Sequence, residues 1–174
     1  MQIAAQIAGI FALIFSVLSY QLRTKQQILI TQMICVVLFV LHFLLLYFSG
    51  TKDALTGAAL NAVSLVRNTA FMIADKKQAS PKVRLLVTVF FCLVIVAAGI
   101  LTWNSALSLL FITAMLLNAV AMSMKEPQMV RIFILCSAPF AFTYDFFTSS
   151  IGGVINEAFS AVSSAVALIR YRKK

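Results

Sequence analysis

Two asparagines lie at matching positions inside apolar segments of this sequence, each four residues after a glycine. The segments are Gly57-Ala-Ala-Leu-Asn61 and Gly152-Gly-Val-Ile-Asn156. Positions four apart share one face of an α-helix, and a side-chain amide both donates and accepts hydrogen bonds. Two such amides on facing helices could bind a polar solute from both sides. The alternative is a structural role, in which glycines let two helices approach and an asparagine bridges them.

A histidine and a tyrosine are candidates for the same site. His42 lies in the second apolar run and Tyr144 in the sixth, at about the depth of the two asparagines. A histidine can bind a solute or move protons near neutral pH. The alternatives are a neutral hydrogen bond between helices for His42 and a position at the membrane surface for Tyr144, where tyrosines are enriched.

Charged side chains inside apolar runs are costly to bury and are therefore candidates for function. Arg67, at the level of Asn118, could contact an anionic solute. Its alternatives are extension toward the nearer membrane surface and an ion pair with Glu157. Glu157 could couple a proton to solute movement, or act as a structural partner of Arg67 or His42. Asp145 is expected near the membrane boundary and in contact with solvent.

The composition indicates an α-helical membrane protein. Of the 174 residues, 62% are hydrophobic and 11% are charged, whereas a soluble domain has about 45–50% apolar and about 25% charged residues. The apolar runs are about 18 residues or longer, enough to cross a hydrocarbon core of about 30 Å. The net charge of +9 does not predict nucleic-acid binding, because the lysines and arginines lie in short clusters between these runs.

The sequence predicts no catalytic or metal centre. Its one histidine cannot form a multi-histidine site, and it has no HExxH motif, no GxSxG motif and no phosphate-binding glycine loop. Cys35, Cys92 and Cys136 lie in apolar runs without a CxxC pair, so neither a disulfide framework nor a zinc site is expected. We therefore expect no enzyme activity and no cofactor.

Seven membrane-spanning helices are predicted from the apolar runs. Their bounds are 3–20, 28–49, 54–74, 85–103, 105–124, 132–149 and 151–169. Twelve of the 14 lysines and arginines follow the odd-numbered spans and so lie on one side, while Arg67 is inside a span and Lys52 is on the other side. Because cytoplasmic loops carry an excess of lysine and arginine, we expect the N-terminus outside and the C-terminus in the cytoplasm.

Spans one to three and spans five to seven are similar in sequence. Lys25-Gln26 aligns with Pro127-Gln128, and the two segments with glycine and asparagine align after a deletion in a loop. The fourth span has no partner and is expected to be a linker, because one intervening crossing lets both copies point the same way. The predicted fold class is an all-α integral membrane protein of two parallel three-helix bundles joined by a linker helix (3+1+3), with bounds of 1–78, 79–104 and 105–174.

Several short segments carry a resemblance to known proteins. They are Gln6-Ile-Ala-Gly9, Ser19-Tyr-Gln21, the region of His42, the segment from Gly57 to Asn61, and Arg67. On these segments the chain resembles the YgjV-type bacterial inner-membrane proteins over essentially its whole length. More distantly, the helix layout is similar to that of the SWEET and PQ-loop superfamily, whose namesake motif the pair Pro127-Gln128 resembles.

The distant resemblance implies a position for the solute. In SWEET-type sugar transporters an asparagine on the third helix of each bundle faces the solute, which by this resemblance assigns that position to Asn61 and Asn156. The chain departs from the pattern in two places. Lys25 stands where a proline is expected, and Pro139 has no counterpart in the second span. These prolines are hinges in the distant relatives.

We therefore expect a transporter or facilitator of a small polar organic solute in the bacterial inner membrane, with the solute between the two bundles. The expected solute-binding residues are Asn61, Asn156, His42, Tyr144, Arg67 and Asn118, with Glu157 as the coupling residue. A non-transporting receptor or interaction protein of the same fold is the alternative, and an intramembrane enzyme is the third. The expected partners are the solute and the lipid bilayer, without nucleic acid. A homo-oligomer is left open.

Overall fold

Seven α-helices make up the described chain. A computed structural model describes residues 2–171, and three basic residues of the predicted cytoplasmic side, Arg172, Lys173 and Lys174, lie outside that range. The helices are α1 (Gln2–Gln21), α2 (Lys25–Phe48), α3 (Ala54–Lys76), α4 (Pro81–Leu101), α5 (Leu107–Ser123), α6 (Pro127–Phe147) and α7 (Ile151–Arg170). The prediction of an all-α protein with seven helices is confirmed for residues 2–171, in which there is no β-strand.

Three helices begin earlier than the hydropathy pattern predicts. α2 starts at Lys25, α4 at Pro81 and α6 at Pro127, three to five residues before the apolar runs. Thr24 and Ser80 cap α2 and α4 with side-chain oxygens that accept from backbone N–H groups in the first turn. A proline at the first position of a helix already has the helical φ. Capping therefore extends these helices into polar sequence that hydropathy alone does not assign to a span.

Five of the described helices are long and apolar enough to cross a membrane, and α3 and α5 are the two that are not among them. α5 has 17 residues, one turn fewer than most of the others. α3 has 23 residues, but its buried face carries Asn61, Ser64, Arg67 and Asn68. These polar residues lower the mean hydropathy of α3. The two helices that are not among the five, α3 and α5, pack against each other.

The helix contacts form a closed ring. α2 packs on α1 and α3, and α6 packs on α5 and α7. Two further contacts join these trios: α1 with α7, and α3 with α5. α4 packs on α3 and α5.

α4 lies at the periphery of this ring. Its buried residues are Arg84, Thr88, Phe91, Ile95 and Gly99, which recur every three or four positions and form one narrow stripe. Most of the other residues of α4 are apolar and are exposed or half-buried. This is the pattern of a helix with one face on protein and the other on lipid, and the linker role of the fourth span stays a prediction. The 3+1+3 grouping itself stays a prediction.

The helix ends form two faces. The basic face consists of loops 22–24, 77–80 and 124–126 together with the end of α7, and the opposite face consists of the start of α1 and loops 49–53, 102–106 and 148–150. Contacts hold each face together. On the basic face, Lys25 Nζ lies 3.1 Å from Asp75 Oδ2. On the opposite face, Ser105 Oγ donates to Asp53 Oδ1 at 2.8 Å.

Candidate solute site

A narrow cavity of about 60 Å³ lies among α1, α2, α3, α5 and α7. Five residues assigned from the sequence line it: Asn61, Asn156, Arg67, Asn118 and Glu157. They belong to three helices that are far apart in the chain. A water molecule occupies about 30 Å³ in the liquid, so the cavity in this conformation has room for about two waters and not for an organic solute.

Arg67 is held in the cavity by oxygens of neutral groups. Its Nη2 donates to Asn118 Oδ1 at 2.8 Å and to Asn68 Oδ1 at 3.1 Å, and its Nε donates to Asn68 Oδ1 at 3.2 Å. The residue is 1% exposed, so its side chain does not extend to the membrane surface. The ion pairs found among residues 2–171 do not include one between Arg67 and Glu157. Its charge is therefore stabilised by amide oxygens without a carboxylate in contact.

The two asparagines differ in their hydrogen bonds. Asn61 Nδ2 donates to Gly57 O of its own helix at 2.8 Å, which leaves Asn61 Oδ1 without a partner among residues 2–171. Asn156 Nδ2 donates to Glu157 Oε1 at 3.1 Å, and Asn156 Oδ1 accepts a long hydrogen bond of 3.5 Å from Ser160 Oγ. The Asn61 amide thus keeps an oxygen without a hydrogen bond, while the Asn156 amide contacts the carboxylate of its neighbour Glu157.

His42 does not line this cavity. The side chain is fully buried between α1 and the start of α7, with Nδ1 2.6 Å from Ala5 O and Nε2 2.7 Å from Ser150 Oγ. A carbonyl oxygen only accepts, so Nδ1 carries the proton. In the neutral imidazole, Nε2 then accepts from the Ser150 hydroxyl. These hydrogen bonds join α2 to α1 and to the start of α7, as in the structural alternative for His42, and they do not involve the cavity.

Tyr144 also lies outside the cavity. Its hydroxyl donates to Asp53 O at 2.6 Å and accepts from Gly57 N at 3.0 Å, which ties α6 to the first turn of α3. Its ring is fully buried and stacks on Phe111 at 4.4 Å between centroids. Tyr144 is therefore in the protein interior and not at the membrane surface, which was its structural alternative.

An aromatic cluster separates the cavity from the opposite face. We define it as Phe39, His42, Phe43, Phe111 and Tyr144, whose rings contact one another through Phe43. Phe39 lines the cavity directly. In this conformation these rings lie between the cavity and the opposite face.

The prediction that Asp145 contacts solvent is wrong. It was expected in solvent, but it is 3% exposed, and its Oδ1 is buried without a hydrogen-bond partner among residues 2–171. The connection between α6 and α7 is only residues 148–150. So short a connection folds the end of α6 against the first turn of α7, and the Asp145 carboxyl group packs there against Gly153 and Ser150.

Gln32 and Ser16 are among the polar residues of the cavity that the sequence analysis did not assign to the site. Gln32 lines the cavity and donates from Nε2 to Ser19 Oγ at 2.8 Å, and Ser16 Oγ lies 2.9 Å from Ser160 Oγ. Gln32 could have been identified from the sequence, because an amide side chain inside an apolar span is costly to bury. Ser16 could not, since serine is common in spans that pack closely.

Arg131 was counted as a surface charge, but it is a buried structural residue, 1% exposed. Its Nε donates to Tyr20 O at 3.1 Å and its Nη2 to Leu22 O at 2.9 Å. Its Nη1 donates to Gln128 Oε1 at 2.9 Å, and Gln128 Nε2 donates to Tyr171 O at 2.6 Å. The pair Pro127-Gln128 therefore begins α6 and, with Arg131, binds the carbonyl ends of α1 and α7.

The fold and the buried polar centre define a polytopic α-helical membrane protein. Residues 3–174 match the Imp-YgjV family, described as a bacterial inner membrane protein. The chain belongs to this family, so the predicted resemblance and the multi-pass location in the inner membrane are confirmed. Comparison with curated proteins and with solved structures gives no match. The more distant similarity to the SWEET superfamily stays a prediction.

Proposed function

We propose that this protein moves a small polar organic solute across the inner membrane, through the cavity between its two helix trios. The observation that carries the proposal is the convergence of Asn61, Arg67, Asn118, Asn156 and Glu157 on one cavity in the centre of the helices. Polar groups at such depth are costly in lipid and are retained mainly for function. A cation, a carboxylate and amides together suit a solute with both hydrogen-bond donors and acceptors.

The contact pattern supports two equivalent halves. If each helix of the first trio is replaced by the one four places later, the contacts α1–α2 and α2–α3 become α5–α6 and α6–α7. Exchanging the two trios, so that α3 becomes α7 and α5 becomes α1, turns the α3–α5 contact into α7–α1, which is also present. Parallel repeats of this kind occur in transporters, with the solute site at the repeat interface.

Transport requires the cavity to open from a volume of about 60 Å³, because sites for organic ligands have volumes of about 300–1,000 Å³. The two contacts between the trios are the ones that must change. At α1–α7 the backbones touch, since a Cβ atom on Gly152 would lie 2.8 Å from Gly9 Cα. At α3–α5 the contact includes the hydrogen bond from Arg67 to Asn118. We assign alternating access to movement of one trio against the other about these contacts.

The proposed orientation has the N-terminus outside and the basic face in the cytoplasm. It rests on the excess of lysine and arginine at that face. Within the described residues the basic face carries nine lysines and arginines: Arg23, Lys25, Lys76, Lys77, Lys82, Arg84, Lys125, Arg131 and Arg170. The opposite face carries Lys52.

Uptake into proteoliposomes tests the proposal. A panel of labelled sugars, amino acids and small carboxylates is presented to vesicles containing the wild-type protein, Asn61→Ala or Asn156→Ala. Asn104→Ala is the matched control, because Asn104 is an exposed loop residue on the opposite face. We expect uptake of at least one solute that both cavity variants reduce about tenfold or more, as for the loss of one buried polar contact. Uptake that is equal in all variants would exclude the cavity as the path.

A second candidate function is solute binding without transport. It is favoured by the aromatic cluster, which closes the cavity toward the opposite face, and by the small cavity volume. Such a receptor would be stabilised by a solute without moving it. Thermal stabilisation by a solute that is lost in Asn61→Ala, combined with no uptake of that solute, would favour this second function.

A further inference from the structure

A second polar cavity opens at the basic face, away from the candidate solute site. Its volume is about 520 Å³. It lies between the start of α2, the end of α3, the start of α4 and the loop after α5. The residues that line it are Lys25, Gln26, Asp75, Gln78, Arg84 and Lys125.

The charges around this cavity do not balance. Lys25 Nζ lies 3.1 Å from Asp75 Oδ2, and the Arg84 guanidinium pairs with Asp75 Oδ1. Lys125 is exposed and makes no ion pair with the other described residues. Three cations therefore share one carboxylate. Lys25 and Arg84 are each only 8% exposed, and buried charges without full compensation are unfavourable.

Arg84 keeps one donor without a partner. Its Nη1 donates to Ser123 O at 3.0 Å, but its Nε is buried and has no acceptor among residues 2–171. Arg131, on the same face, differs, since its Nε, Nη1 and Nη2 all donate to protein oxygens. A buried donor without a partner is uncommon in native proteins. Arg84 lines the cavity, so an anion bound there would lie beside a guanidinium whose hydrogen bonds are incomplete.

The start of α2 adds backbone donors to the same cavity. Lys25 and Gln26 are the first two residues of this helix of 24 residues. The first N–H groups of a helix have no partner within it, and the positive end of the helix dipole favours anions. Thr24 Oγ1 accepts from Gln27 N, so the cap does not occupy the N–H groups of Lys25 and Gln26.

We propose that this basic cavity binds a phosphate monoester. The ligand would bring two negative charges to an environment with an excess of two positive ones, and its oxygens would accept from Arg84, Lys25 and Lys125. Arginine and lysine together at a helix N-terminus are a common phosphate environment. The ester could be a soluble metabolite or the headgroup of phosphatidic acid, a phospholipid that ends in a phosphate monoester, in the adjacent leaflet. This inference does not depend on solute transport.

Binding measurements on the purified full-length protein separate the two sources. Titration with glycerol phosphate in detergent, with glycerol as the uncharged control, tests the soluble ester. Incorporation into phosphatidylcholine nanodiscs with and without phosphatidic acid tests the lipid, read as retained lipid in native mass spectrometry and as a change in Tm. Binding of either ligand supports the site if the variants described next locate that binding at the basic cavity. If neither ligand binds, the proposal is overturned.

Two substitutions locate the binding. Lys125→Gln should weaken it about fivefold, as for one partly exposed charge contact. Lys82→Gln is the matched control, because Lys82 is exposed on the same face and does not line the cavity, and it should leave binding unchanged. An equal loss in both variants would mean that the anion recognises only the general charge of the face.

Asp75→Asn should strengthen the binding of the phosphate monoester. It removes the carboxylate that competes with the ligand for Lys25 and Arg84, so binding should become several-fold tighter. A purely structural role for these three residues predicts no gain. Weaker binding in a variant that remains folded, as judged by circular dichroism and gel filtration, would overturn the proposal.

Discussion

Arg67 of α3 donates from Nη2 to Oδ1 of Asn118 in α5, and the two atoms are 2.8 Å apart. This hydrogen bond crosses between the two helix trios at the level of the candidate solute site. It joins Arg67, whose charge has no carboxylate in contact, to α5, the helix that follows α4. The stability of the closed conformation should therefore depend on the chemistry at position 118.

Asn118→Ala should lower the free energy of unfolding by about 1–3 kcal/mol, because a buried donor of a charged group loses its acceptor. Asn118→Asp restores an acceptor and adds a countercharge, so it should retain the wild-type stability. Chemical and thermal unfolding in detergent, followed by circular dichroism, measures both. Equal stability of the alanine and wild-type proteins would show that this hydrogen bond does not hold the trios together.

Ser150→Ala should destabilise the opposite face. Ser150 Oγ donates to His42 Nε2 and also accepts from Gly153 N as the N-cap of α7. Loss of a cap costs about 0.5–2 kcal/mol, and His42 loses a buried partner as well. Ser149→Ala is the control, because the Ser149 side chain is exposed. We expect the Tm of Ser149→Ala to equal that of the wild type and the Tm of Ser150→Ala to be lower. A Tm of Ser150→Ala that is equal to or above that of Ser149→Ala would contradict the role of the Ser150 hydroxyl.

Gly152→Ala should loosen the crossing of α1 and α7. The added Cβ would meet the backbone of Gly9, which can move away only if the whole helix shifts. Overpacking of this kind costs about 1–3 kcal/mol. The matched variant is Gly99→Ala, whose Cβ would meet the outer atoms of the Ile112 side chain, and a side chain can change rotamer. Unfolding in detergent should therefore rank Gly152→Ala as the less stable variant.

Arg131→Met should be destabilising, because each buried acceptor that loses its donor costs about 1–3 kcal/mol. The substitution keeps the volume but removes the donors to Tyr20 O, Leu22 O and Gln128 Oε1. Lys125→Met removes an exposed charge from the same face and should change stability little. If both variants unfold at the same denaturant concentration, Arg131 is not the structural residue described above.

The orientation can be measured in cells with single cysteines. In a variant that lacks Cys35, Cys92 and Cys136, a membrane-impermeant maleimide should label Lys52→Cys in spheroplasts without permeabilisation. Lys77→Cys, in the loop between α3 and α4, should be labelled only after the membrane is permeabilised. The reverse pattern would place the N-terminus in the cytoplasm and contradict the proposed orientation.

Much of the fold could be predicted because it depends on local properties. Runs of apolar residues with polar breaks identify seven helices, and the boundaries differ mainly where Thr24, Ser80 and Pro127 start a helix in polar sequence. The polar cavity residues were identified in part for a similar reason. A charge such as Arg67 or Glu157 within an apolar run indicates a site whatever the tertiary arrangement.

The directions of the other side chains could not be predicted in this way. His42 and Tyr144 were assigned to the site by depth, but the structure places both in the aromatic cluster. There His42 is hydrogen-bonded to Ser150, and Tyr144 is hydrogen-bonded to Gly57. Depth follows from counting residues along a helix, whereas rotation about the helix axis is set by neighbouring helices. Arg131 is a similar case, since two of its acceptors, Tyr20 O and Leu22 O, lie at the end of α1 and just after it, more than 100 residues earlier.

The amino-acid sequence by itself determined the class of the protein, the number of helices, the clustering of charge at one face and the matching sequence positions of Asn61 and Asn156. These depend on hydropathy and on the spacing of residues within one helix. Only the tertiary structure decided that Asn61, Asn156, Arg67 and Glu157 share one cavity, that Asp145 is buried, and that three cations share Asp75. The physical reason is that each of these depends on contacts between helices distant in the chain, whose free energy no single segment contains.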